Sequence, residues 1–80
     1  MHQSELDDAV RHVVAERLHV APERLTLDSD LDDLGLDDEA AASVLTGVED
    51  ALEVRFPDDF FDGLRTYGDL TAAVRVAVGA

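Results

Sequence analysis

Apolar residues recur at the helical period in three stretches of this chain, and nowhere do they alternate long enough to build a sheet. Leu6, Val10, Val13, Val14 and Leu18 lie on one face of a helix predicted over about residues 5–19, with Ser4 and Asp7 at its start resembling a capping box. A second stripe, Ala41, Val44, Leu45, Val48 and Leu52, predicts a helix over about 38–54 with Asp37 as its N-cap. Gly47 lies inside it at a cost of roughly 1 kcal/mol relative to alanine, which marks a close helix contact. Tyr67, Leu70, Ala73, Val74, Ala77 and Val78 form the third stripe, and Thr66 with Asp69 resembles another capping box. Pro57, followed by Asp58 and Asp59, predicts a short additional helix carrying Phe60, Phe61 and Leu64.

Proline disfavours helix in the residue before it, so Ala21-Pro22 closes the first helix and begins a loop that runs to Leu36. A loop of this length in a small domain is expected to be pinned or to have a task. Leu25, Leu27, Leu31 and Leu34 are the expected anchors. The fold class that follows is all-α, an irregular four-helix bundle of three main helices and one short one, filling a single domain over residues 1–80.

The chain carries 19 Asp and Glu against 6 basic residues, a formal net charge of −13 with pI near 4.1. Its apolar fraction of 46% is ordinary for a folded protein, so this charge decorates a globular domain. Such a surface repels phosphate backbones and anionic headgroups, which excludes nucleic acid and membrane surfaces as partners and leaves basic protein surfaces. No cysteine is present, which removes thiolate metal sites and nucleophiles. No apolar run approaches the roughly 20 residues of a membrane span, and the polar start MHQSELDD is no signal peptide. A cytoplasmic monomer is expected.

The order of several short motifs carries a resemblance. Leu31, Leu34, Gly35 and Asp37 fit a loop reading Leu-x-x-Leu-Gly-x-Asp-Ser-Leu. Val44, Leu45, Val48, Glu49 and Leu52 follow without a gap, then Phe56-Pro57, then Thr66-Tyr67-Gly68-Asp69-Leu70. Over nearly its whole length the chain resembles the acyl carrier proteins and the peptidyl and polyketide carrier domains that share their fold. The resemblance implies a non-enzymatic carrier that docks on enzymes of fatty-acid or polyketide-type biosynthesis through acidic groups on its second helix. Asp33, Asp37, Asp38, Glu39, Glu49 and Asp50 are the candidates for that face.

The departure from the family is at its centre. Where carriers have the serine that takes phosphopantetheine from coenzyme A, this chain has Asp38, and Glu39 replaces the leucine that follows. A carboxylate there would yield only an acyl phosphate, a mixed anhydride prone to hydrolysis, so phosphopantetheine is expected to be absent and no catalytic residue is assigned. Acids in a helix's first turn also interact favourably with its dipole, by roughly 0.3–1 kcal/mol each. That keeps the fold without the carrier chemistry.

Two other readings stand beside this one. A functional carrier would use another serine, such as Ser43, or descend from a parent with serine at position 38. Ser43 is rotated by about 140° from Asp38 on an ideal helix, and Ser29 and Ser4 fit turn and cap roles. Alternatively, Asp28, Asp30, Asp32 and Glu39 fall on positions one, three, five and twelve of a calcium loop, the pattern of an acidic calcium-responsive module. Asp33 stands where that loop requires glycine, and no specific metal site is expected. His2, His12 and His19 lack the spacing of a zinc site and read as solvated or capping residues.

Overall fold

The computed structural model describes residues 3–79 and, of their side chains, those from Glu5 onward. The cap expected of Ser4, and His2, lie outside those side chains. Among the described residues the all-α architecture holds, with α1 at Gln3–Leu18, α2 at Asp38–Leu52, α3 at Tyr67–Ala77 and a 3-10 turn at Pro22–Arg24. None of these helices is long and apolar enough to cross a membrane. α1 packs against both α2 and α3. Leu6, Val10 and Val14 of α1 form one core with Val44, Val48, Leu70 and Val74, all at most 2% exposed. Each such side chain contributes roughly 1.5–3 kcal/mol by leaving water.

Both of the first two helices end on a left-handed residue that is not glycine. His19 has φ 59° and lets Val20 N–H reach back to Ala15 O (3.0 Å); Glu53 has φ 56° and does the same for Val54 and Glu49 O (3.1 Å). This six-to-one bond closes the helix and satisfies a carbonyl that would otherwise lack a donor. α2 therefore stops at Leu52, two residues short of the expected end. The Glu49 carboxylate then accepts Phe56 N–H at 2.8 Å, turning the chain toward Pro57.

The short helix expected from Pro57 does not form. Phe60 N–H bonds Pro57 O (3.0 Å), Asp62 bonds Asp59 (3.0 Å) and Leu64 bonds Phe61 (3.1 Å), a run of tight turns instead. Few residues separate Pro57 from Gly63, which sits at φ +83°, and a segment that short seldom meets the cost of helix nucleation. Aromatic packing holds the segment in place. Phe56 stacks on Phe60 with centroids 4.3 Å apart, and Phe60 meets Phe61 edge-on at 5.5 Å.

The long loop is pinned as expected, but not by all four leucines. Leu25, Leu31 and Leu34 are buried, whereas Leu27 is 62% exposed. The backbone around Leu27 runs beside the start of α3: Gly68 N–H donates to Leu27 O (3.0 Å), Tyr67 N–H to Ser29 O (2.8 Å) and Leu31 N–H to Arg65 O (2.9 Å). Its carbonyl rather than its side chain is the anchor. A Cβ on Gly68 would stand 2.8 Å from that carbonyl, so the close approach requires glycine. Arg11 adds a cross-tie from α1, donating to Pro22 O (3.1 Å) and to Leu25 O.

Candidate functional site

Geometry at the start of α2 is set by the segment before it. Leu31 to Leu36 forms one helical turn that closes on itself: Gly35 N–H bonds Asp32 O (3.0 Å) and Leu36 N–H bonds Leu31 O (3.0 Å), with Gly35 at φ +94°. These two bonds define a Schellman closure, which places a left-handed residue at its fifth position and favours glycine there. Asp30 supports the turn by accepting Asp32 N–H at 2.8 Å. Asp37 then begins α2 as expected, its carboxylate accepting Ala40 N–H at 2.8 Å. Asp38 and Glu39 occupy the first helical turn, both exposed.

These two acids line different hollows. Asp38 borders a cleft of about 520 Å³ between α2 and the turns after Pro57. Half-buried Leu36, Ala41, Leu45, Phe61 and Leu64 give it an apolar floor, and Asp32, Asp37, Asp38, Asp58 and Asp62 stand around its rim. Glu39 borders a smaller hollow of about 290 Å³ with Arg17 and Ser43. Asp37 is shared by both. Phe61 and Leu64, expected on a short helix after Pro57, contribute to this floor, and helical spacing does not tell which apolar residues stay half open.

The candidate face is not one patch. Asp37, Asp38 and Glu39 stand at the first turn of α2, and Asp33 is exposed in the turn before it. Glu49 and Asp50 lie about three turns further along, roughly 16 Å at the helical rise. Glu49 is half-buried, with one oxygen on Phe56 N–H.

Ser43 and Ser29 are held in local structure. Ser43 Oγ accepts from Arg17 Nη1 at 3.1 Å, in the position opened by Gly47. Ser29 Oγ accepts Thr26 N–H (3.0 Å) and donates to Arg24 O (3.0 Å), fixing the loop. Asp28, Asp30, Asp32 and Glu39 do not form a cation cage: among the described residues no three His, Asp or Glu side chains converge on a point that would hold a metal ion. His12 is exposed, 3.7 Å from Glu16, and His19 caps α1 through its backbone.

Comparison with known proteins places this arrangement. The family described as "Phosphopantetheine attachment site" matches residues 8–74, from within α1 to within α3. An acyl carrier protein of Clostridium perfringens (strain SM101 / Type A) is 31% identical over 64 residues, covering 79% of this chain and 84% of the relative. One of Sulfurovum sp. (strain NBC37-1) is 34% identical over 65 residues, covering 80% and 87%. With a match that takes in the closed turn, the capped second helix and the pinned third, this chain belongs to the phosphopantetheine attachment-site family that includes the acyl carrier proteins.

Proposed function

We propose that this protein keeps the carrier fold, carries no phosphopantetheine, and acts as a non-catalytic monomer through contacts with basic surfaces of enzymes in fatty-acid or polyketide-type biosynthesis. The observation that carries the reading is Asp38 in the first turn of α2, where the sequence resemblance puts the family's attachment serine. Donor chemistry there does not fit the group. A carboxylate offers no alcohol to form a stable phosphodiester, and a phosphodiester would have to sit among the five carboxylates that rim the cleft. Ser43 does not restore the function, because it lies a turn further along α2 and its hydroxyl accepts from Arg17.

Docking then rests on charge. Asp33, Asp37, Asp38, Glu39 and Asp50 are exposed, and Glu49 retains acceptor capacity beyond its bond to Phe56. An acidic surface of this kind mainly accelerates and orients encounter with a basic partner.

The experiment is incubation of the native chain with coenzyme A, magnesium and a broad-specificity phosphopantetheinyl transferase, read by intact mass. No mass gain is expected for the native chain, and a single phosphopantetheine adduct is expected for Asp38→Ser. An adduct on the native chain overturns the reading, and peptide mapping would then say whether Ser43 is the acceptor.

A further inference from the structure

The acidic start of α2 contains one fixed cation. Arg17, in the last turn of α1, shares the hollow of about 290 Å³ with Asp37, Glu39 and Ser43. Its guanidinium is seated against α2. Nη1 donates to Ser43 Oγ at 3.1 Å, and a Cβ on Gly47 would stand 3.2 Å from Nε and 3.4 Å from Cζ, so the group lies over the buried glycine in the room that its missing side chain leaves.

The seat leaves most of the charge unanswered. A guanidinium offers several N–H donors, and among the described residues Arg17 makes one hydrogen bond, to a neutral hydroxyl. Its ion-pair contact among those residues is with exposed Glu16, whose Oε1 stands 3.9 Å from Nε, too far for a hydrogen bond, and which also faces His12. The Asp37 carboxylate is turned to Ala40 N–H. A protein pressed on this end of α2 therefore meets carboxylates and a held cation side by side. A uniformly basic patch pairs with Asp37 and Glu39 but sets like charge against Arg17, and moving Arg17 aside forfeits its contacts with Gly47 and Ser43. A basic patch that includes one carboxylate satisfies both signs. Because the guanidinium is already in place, engaging it costs little further side-chain ordering. We infer that Arg17 determines specificity at this face, and that the partner surface it fits is a basic one carrying a glutamate or aspartate one helical turn from a lysine or arginine. This selection rests on the reading that acidic α2 docks on basic proteins, and narrows which of them fit.

The test uses the full native chain and two synthetic helical peptides of identical composition, each with a row of lysines and one glutamate on a single face. In one peptide the glutamate stands within the row, and in the other it stands at the end. Binding is followed by amide chemical shifts of α2. Preference is the ratio of the two affinities divided by the same ratio for Arg17→Gln, which cancels any difference in helicity between the peptides. The native chain is expected to prefer the internal glutamate roughly two- to fivefold, the scale of one exposed ion pair. Arg17→Glu should invert the preference, a change of sign that lost packing does not produce. Arg24→Gln, an equal change of charge on the turn after α1, should keep the native value. A native preference of one, an Arg17→Glu variant that does not invert it, or an equal loss in Arg24→Gln would each overturn the inference. Binding of both peptides to α2 with no preference removes the selection alone, whereas an absence of saturable shifts in α2 with either peptide removes the docking reading beneath it.

Discussion

Tyr67 is among the largest fully buried side chains, and its hydroxyl has no hydrogen-bond partner among the described residues. The ring packs in the core at 1% exposure, and Arg11 stands 5.5 Å from its centroid. Burial pushes the phenol pKa up from its ordinary value, with the Arg11 guanidinium opposing the shift. The phenol therefore stays neutral, and its stranded hydroxyl carries a desolvation cost on the order of 1–3 kcal/mol. Tyr67→Phe keeps the ring packing and the guanidinium contact while deleting that group. It should raise the urea midpoint by an amount equivalent to about 1 kcal/mol, with m unchanged. A fall in the midpoint would show that the hydroxyl has a partner, such as a buried water. Asp69 lies at the opposite extreme. It is exposed, and acceptance of the Arg65 and Thr66 backbone N–H groups lowers its carboxyl pKa, so it completes the α3 capping box in its charged form.

At the scale of elements, what could be read in advance depended on whether a local rule decides the feature. The starts of α2 and α3 were legible because a cap needs a short acceptor side chain before an apolar stripe, and Asp37 and Thr66 supply one. The closed turn was legible in part, through the glycine that its left-handed position favours. The end of α1 near residue 19 was legible from Pro22, but the left-handed closures at His19 and Glu53 were not, since neither residue type advertises that conformation. Nor was the loss of the short helix after Pro57, where turn bonds and aromatic stacking outweigh a good N-terminal signal. The position of Asp38 was plain in the sequence, but the cleft it borders required knowing how far the Phe61 segment stands from α2. Gly47 joins the local and the tertiary arguments. In an open helix, Gly→Ala stabilises by roughly 1 kcal/mol. Here a Cβ would lie 2.7 Å from Val13 Cγ1 and 3.2 Å from Arg17 Nε, so α1 must give way or Val13 must leave its rotamer. Overpacking of that kind costs roughly 1–3 kcal/mol, which exceeds the propensity gain. Gly47→Ala should lower Tm by several degrees in thermal unfolding. A rise in Tm would mean that α1 and α2 separate without cost at this contact.

The whole molecule confines its net charge of −13 within a Cα radius of gyration of 11.2 Å. That radius is close to the screening length at about 0.1 M salt, roughly 10 Å, so at low ionic strength the carboxylates repel one another across the entire domain. Attractive pairs oppose this weakly. The contact between α1 and α3 includes a bidentate pair, Arg75 Nη2 lying 3.0 Å from Asp7 Oδ2 and Arg75 Nε 3.2 Å from Asp7 Oδ1, with both side chains about a third exposed. His12 and Arg17 reach Glu16 only at 3.7 and 3.9 Å, on exposed side chains. Exposed pairs contribute roughly 0–1 kcal/mol each, and salt weakens them. Repulsion among 19 acids is weakened by the same screening and outnumbers them, so the sign of the net effect is set by the acids. Raising sodium chloride from about 0.02 to about 0.3 M should therefore stabilise the fold by on the order of 1 kcal/mol, read as a Tm higher by roughly 4–8 °C. Arg75→Gln separates the two contributions. Without the pair, the variant should be less stable at every salt concentration, and its Tm should climb more steeply with salt than that of the native chain. A native Tm that falls on adding salt would mean that the Asp7–Arg75 bridge outweighs the repulsion of all the unpaired carboxylates.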